Sequence, residues 1–159
     1  MIACIPMMKR TPSGKVLTDL ILESFQLYGV LLDSGNRITK PLGLTSARWQ
    51  VMGAVDLAGH PLTVAQVARR MGLARQGVQR IINDLERLEM VVLKSNLDHK
   101  RSPLVSLSKK GAHVMAEIDK AQIVWVNKLA EGLGECQVKQ ALKVMQKVRE
   151  RLEQLKQLK

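Results

Sequence analysis

Apolar residues recur along most of this chain at intervals of three and four, the spacing of one helix face, and the pattern shortens to alternation only near residues 91–107. Leu17, Leu20, Ile21, Ser24, Leu27, Tyr28 and Leu31 form one stripe, which predicts a first helix from about Val16 to Leu32 or just beyond. Thr45 caps a second helix through about Ala58, which Gly59 and Pro61 end. A third runs from Thr63 to Met71. Its Thr63 and Gln66 have the spacing of a capping box, its stripe is Val64, Val67, Ala68 and Met71, and Gly72 supplies the turn after it. A fourth helix, from about Ala74 to Leu88, places Val78, Ile81, Ile82, Leu85 and Leu88 on one face and Gln76, Gln79, Arg80 and Asn83 on the other.

The third and fourth helices together read as a helix-turn-helix. Ala68 is small where the two cross, Gly72 makes the turn, and Val78 packs back toward Ala68. Val91-Val-Leu93 and Leu104-Val-Ser-Leu107 then alternate as an antiparallel pair of strands. Between them Lys94-Ser-Asn-Leu-Asp-His-Lys-Arg-Ser-Pro103 is too polar and too long for a tight turn, so it projects as a wing. The expected fold is therefore mostly α with a small β wing. A polar helix face next to a basic loop is suited to duplex DNA, the helix in a major groove and the loop against phosphates or a minor groove. The candidate contacts are Arg75, Gln76, Gln79, Arg80 and Asn83 on the helix, with Lys94, His99, Lys100 and Arg101 on the wing.

Charge narrows the partner. The 159 residues hold 25 Lys and Arg against 14 Asp and Glu, a net charge of +11, which favours a polyanion through counterion release. From His60 to Lys110 there are ten Lys and Arg against four Asp and Glu, so six of those eleven charges lie in the winged segment. RNA readers add stacking aromatics, whereas Phe25, Tyr28, Trp49 and Trp125 all fall outside it. Double-stranded DNA is favoured, and a winged helix used only for protein contact is the alternative.

The remaining signals exclude more than they add. No apolar run approaches the roughly 18 residues of a membrane span, and Met1–Met8 is too short for a secretory signal, so a cytoplasmic location is expected. Cys4 and Cys136 are far apart, with no CxxC pattern, and read as buried or idle thiols. His60, His99 and His113 lack metal-ligand spacing, and neither a phosphate-binding Gly-rich loop nor a nucleophile motif is present. An enzyme, a metal and a cofactor are all unsupported.

Ser108 opens a long helix to about Ala130, and after Gly132 and Gly134 a last helix runs from about Glu135 to the end. Its Val138, Ala141, Met145, Val148, Leu152 and Leu155 make a seam for a partner helix. Burial of that seam in a two-fold homodimer would set two recognition helices about 34–36 Å apart, one turn of DNA. On this reading residues 1–15 are a tail and 16–44 the first dimerisation helix with its connection. Residues 45–107 are the winged helix-turn-helix, and 108–159 are C-terminal dimerisation helices.

This order of elements, with Leu44-Thr-Ser-Ala-Arg-Trp49 ahead of the reader, Asp98-His-Lys-Arg101 in the wing and Leu107-Ser-Lys-Lys-Gly111 after it, resembles the multiple antibiotic resistance (MarR) family of regulators. The resemblance implies a homodimeric transcription factor, usually a repressor, whose DNA affinity changes when a small ligand or an oxidant acts. It also implies an effector cleft between dimerisation helices and winged helix. Tyr28, Arg48, Trp49 and Met52 are its candidate lining here, suited to a small aromatic or anionic effector. There are two departures from the family pattern. Asp98 precedes Arg101 by three residues where many members have two, and Glu89 stands where a Gly commonly precedes the first wing strand.

Overall fold

A computed structural model describes residues 9–157; Cys4, Met1–Met8 and the last two residues lie outside them. Helix α1 spans Pro12–Thr39, starting earlier and ending later than its apolar stripe predicts. The early start has a local cause. Thr11 accepts the Gly14 N–H at 3.0 Å and Pro12 occupies the first turn, where its missing N–H costs nothing, so the segment read as a tail begins the helix. At the other end Asp33-Ser-Gly35 looks like a helix stop, yet Gly35 is there for closeness. A Cβ on it would lie 2.5 Å from Ser46 Oγ.

A single 3-10 turn at Lys40–Leu42 leads to α2 (Ser46–Asp56), capped by Thr45 as expected. The corner between α1 and α2 is held by polar groups. The Asn36 carboxamide oxygen accepts the Ser46 N–H at 2.8 Å, and the buried Thr39 hydroxyl lies 2.9 Å from the Gly35 carbonyl oxygen and 3.2 Å from that of Leu44. Such buried groups stabilise the fold only when paired, so this corner has one stable geometry.

Strand β1 (Leu62–Thr63) precedes α3 (Val64–Met71) and α4 (Arg75–Arg87), and β2 (Val91–Lys94) with β3 (Leu104–Leu107) form the wing. The sheet order is β1-β3-β2, antiparallel throughout, with Leu62 opposite Val105 and Leu93 opposite Val105 on the other side. Two-residue β1 has no periodicity of its own, which is why only the wing pair is legible in sequence. The capping box on α3 forms in both directions: Gln66 N–H to Thr63 Oγ1 at 3.3 Å, and Thr63 N–H to Gln66 Oε1 at 2.7 Å.

Val67, Val78, Ile82, Leu85, Val91 and Val105 are fully or almost fully enclosed in one apolar core, together with Ala68 and Met52. Each large side chain buried there contributes about 1.5–3 kcal/mol, so the core fixes how α4 and the wing leave the domain. Helix α5 (Lys109–Ala130) adds Met115 and Ile118 to it, and the compact unit that holds the winged helix accordingly ends at Asp119. A second unit begins at Lys120 and contains the rest of α5, a turn through Gly132 and α6 (Glu135–Gln157). Helix α6 buries none of its described residues. Val138, Met145, Leu152 and Leu155 all stand exposed, and pairs such as Arg149 with Glu153 at 3.2 Å decorate the helix.

The end of α4 is closely packed against the start of α5. Its last turn closes with Met90 N–H to Leu85 carbonyl at 2.8 Å and Glu89 N–H to Glu86 carbonyl at 2.9 Å, a Schellman stop that puts Glu89 at φ 59. There Ser108 N–H donates to Met90 carbonyl at 3.0 Å, and the Ser108 hydroxyl donates to Glu89 carbonyl at 2.6 Å while accepting Gly111 N–H at 2.9 Å. A Cβ on Gly111 would lie 1.9 Å from the Met90 carbonyl oxygen. Gly111→Ala is therefore expected to destabilise by about 3 kcal/mol or more, because the obstacle is backbone. Glu89→Gly, relieved of a left-handed cost of about 1–2 kcal/mol but with a looser unfolded chain, should be equal to or slightly more stable than the parent. Urea melts of both variants check this, and a stable Gly111→Ala would show that the junction can open.

Candidate nucleic-acid interface

Helix α4 turns its enclosed face, Val78, Ile82 and Leu85, to the core, which leaves Arg75, Gln76, Arg80 and Asn83 exposed and Gln79 half-buried beside them. Arg75, Gln76, Gln79 and Arg80 line one open depression of about 430 Å³. Gln79 Nε2 donates to Asn83 Oδ1 at 2.8 Å, so these two amides are already oriented along the helix before anything binds. Among the described residues, Arg75 and Arg80 have no ion-pair partner. Both guanidinium groups stay available to an acceptor such as a guanine edge or a phosphate.

The start of α4 lacks a side-chain cap. Thr11, Thr45 and Thr63 cap α1, α2 and α3 with side-chain oxygens, whereas Ala74 gives α4 no such bond; like those three helices, α4 has no acid in its first turn. Further along, Asp84 is the acidic residue of the helix nearest the reader face, and two cations neutralise it. Arg48 Nη2 of α2 lies 3.4 Å from Asp84 Oδ2, and Arg87 Nη2 lies 2.5 Å from Oδ1. Partly exposed pairs of this kind add at most about 1 kcal/mol each, so their main effect is on the local field.

In the wing, Lys94, His99, Lys100 and Arg101 are all exposed, as the sequence suggests. Asp98 and Arg101 form no ion pair. A residue that sequence reasoning passed over supplies the brace instead: Asn96, 8% exposed, donates from Nδ2 to the Ser102 carbonyl at 3.0 Å and accepts the Asp98 N–H on Oδ1 at 3.1 Å. The second of these is an Asx turn, and an Asn two positions ahead of an Asp in a loop was the available signal for it. Ser102 N–H to His99 carbonyl at 2.9 Å closes the tip.

The four residues suggested for an effector cleft have separate surroundings. Tyr28 is 52% exposed on α1, Arg48 faces Asp84, Trp49 lies against Gly35 at the α1–α2 corner, and Met52 has no exposed surface at all. In this conformation Met52 is core and offers a ligand nothing to touch. Among the described residues, no three His, Cys, Asp or Glu gather as a metal site, and no helix is long and apolar enough to cross a membrane. His60 directs Nδ1 to its neighbour's carbonyl at Pro61, 3.0 Å away, and Cys136 is exposed.

Comparison with known proteins agrees with this geometry. The sequence profile of the MarR family matches residues 42–102, from the turn before α2 to the wing tip. An uncharacterized protein of Mycobacterium tuberculosis is 41% identical over 114 residues, covering 72% of this chain and 78% of the relative. BadR of Rhodopseudomonas palustris, described as a transcriptional activatory protein, is 30% identical over 97 residues, covering 60% of this chain and 55% of its own length. The solved structure of Staphylococcus aureus MarR in complex with salicylate and kanamycin shares the fold, with a TM-score of 0.70 at 19% identity over 87% of this chain and 94% of that one. The reader helix, its wing and these likenesses place the chain in the MarR family of winged-helix transcription regulators.

Proposed function

We propose that this regulator binds a palindromic operator as a homodimer, usually to repress, with α4 of each protomer in a major groove and each wing in the neighbouring minor groove. The observation that carries this reading is the row Arg75, Gln76, Arg80 and Asn83, exposed on a helix whose other face is locked into the core, with a braced cationic wing following it. Side chains that bind bases must be both accessible and held in register, and this arrangement supplies both. Gln79, half-buried and hydrogen-bonded to Asn83, supports the same row. Lys94, His99, Lys100 and Arg101 are the wing contacts, with Arg101 the one suited to a narrow minor groove. BadR's description as activatory favours a second reading in which the bound dimer recruits rather than blocks transcription. The same operator placed upstream of, or across, a reporter promoter separates the two. A location in the cytoplasm follows from a chromosomal target.

The homodimer rests on α6, which presents a seam of exposed apolar residues. Exposed apolar stripes of this length mark an interface in a soluble protein. The effector proposal rests on Arg48. A small carboxylate, the chemistry of the salicylate bound to the S. aureus protein, would compete with Asp84 for that guanidinium and loosen the link between α2 and α4. Trp49, at the α1–α2 corner, and Tyr28, on α1, are the aromatic candidates for the ring; Met52 would join them only after the core opened.

These readings have separate tests. Arg80→Ala is expected to weaken operator binding by about 1–3 kcal/mol and to relax preference at a guanine, measured on a panel of single-base variants; uniform weakening would make Arg80 a phosphate contact. Met145→Glu with Leu152→Glu, both at exposed positions in the single chain, should yield monomers in sedimentation while the melting temperature of the winged helix holds. A surviving dimer would move the interface to α1. Salicylate should lower operator affinity of the parent and leave that of Arg48→Ala unchanged; equal responses would exclude Arg48 from the effector site.

A further inference from the structure

The wing tip holds a residue that neither the basic loop nor the core accounts for. Leu97 is 94% exposed, the highest value among the described large hydrophobic residues. The exposed apolar residues of α1 and α6 belong to long stripes, but Leu97 stands among Ser95, Asn96, Asp98 and His99 with no apolar neighbour in sequence. Its position follows from the brace. Asn96 directs its side chain inward to Ser102 and accepts the Asp98 N–H, which makes Leu97 the central residue of the Asx turn and points it away from the loop. A buried polar side chain thus holds an apolar one in water, where it contributes nothing to folding and is open to burial by a partner.

We propose that Leu97 is an apolar contact of the wing with the minor groove of duplex DNA, an inference that rests on the DNA-binding reading above. The chemistry of the groove fits the tip. A B-form minor groove is about 6 Å wide, its rims are phosphates and its walls are the apolar faces of deoxyribose. Lys94, Lys100 and Arg101, all exposed, supply cations for the rims, and Leu97 supplies the apolar centre. Asp98 is the one acid in the loop, outnumbered by these three cations. Leucine is among the side chains that press between base steps from the minor groove and bend the duplex. A protein surface is the competing cover, but the cations around Leu97 favour the polyanion.

The test compares the parent, Leu97→Ser, Leu97→Met and Arg101→Ala on a duplex that the parent enriches from a random-sequence pool, across a salt series. Leu97→Ser should bind roughly tenfold more weakly at every salt concentration, the factor expected for an apolar side chain that becomes buried. Because no phosphate contact is lost, its slope of log K against log salt should equal the parent's, whereas Arg101→Ala should flatten that slope by about 0.9. Leu97→Met keeps the apolar volume and should restore affinity, and the melting temperature should be the same for all four because both sites are exposed. Leu97→Ser binding like the parent overturns the contact and leaves the DNA reading intact, and failure of Leu97→Met to restore affinity overturns it too. A parent without salt-dependent duplex affinity overturns both.

Discussion

One hydroxyl links the three parts of this regulator. Ser108 Oγ donates to the carbonyl that ends the recognition helix and accepts the N–H that starts α5, at 2.6 and 2.9 Å, while the Ser108 backbone extends the wing strand onto Met90. Helix α4, the wing and α5 therefore meet within a few ångströms, and Gly111 lets them do so by having no Cβ. A change at one of the three is felt at the others because all three share the hydrogen bonds of one residue, Ser108, and a shift of any partner misaligns them. The left-handed Glu89 at the same point costs about 1–2 kcal/mol, and the bonds around it hold that conformation in place. Lys110 adds to them with a 2.9 Å bond to the Leu88 carbonyl.

What could be read in the sequence was what repeats or has a fixed local chemistry. The apolar periods of α2, α3 and α4, the Thr45 cap, the Thr63 and Gln66 box and the Gly72 turn all declare themselves within a few residues, and each is present in the structure. The wing strands were legible for the same reason. Two-residue β1, by contrast, exists only because Val105 and Leu104 lie opposite Leu62 and Thr63, more than forty positions away in the chain. Gly35 shows the limit well. It reads locally as a helix stop, but its lack of a side chain answers to Ser46 on another helix, and that contact is invisible until the two pack. Of the site, the exposed row on α4 followed from helical geometry, whereas Asn96 did not, since an Asn in a polar loop looks like any other until it is found enclosed.

The reader helix shows how the fold divides stability from recognition. Its enclosed face belongs to the apolar core, yet its outward start is weak by the ordinary rules: no capping side chain at Ala74 and a glycine at position 77 with open space around its Cβ direction. A capping carboxylate would stabilise the helix, and it would also repel phosphate from the place where Arg75 stands. The neighbouring α3, with no such duty, has a complete capping box. Stability is thus concentrated where α3 and α4 face inward and withheld where α4 faces the proposed ligand, the pattern expected when a surface must stay open to a polyanion. Asp84 keeps to the same rule: the acid next to the reader face is held between Arg48 and Arg87, so its charge is countered by the protein before DNA arrives.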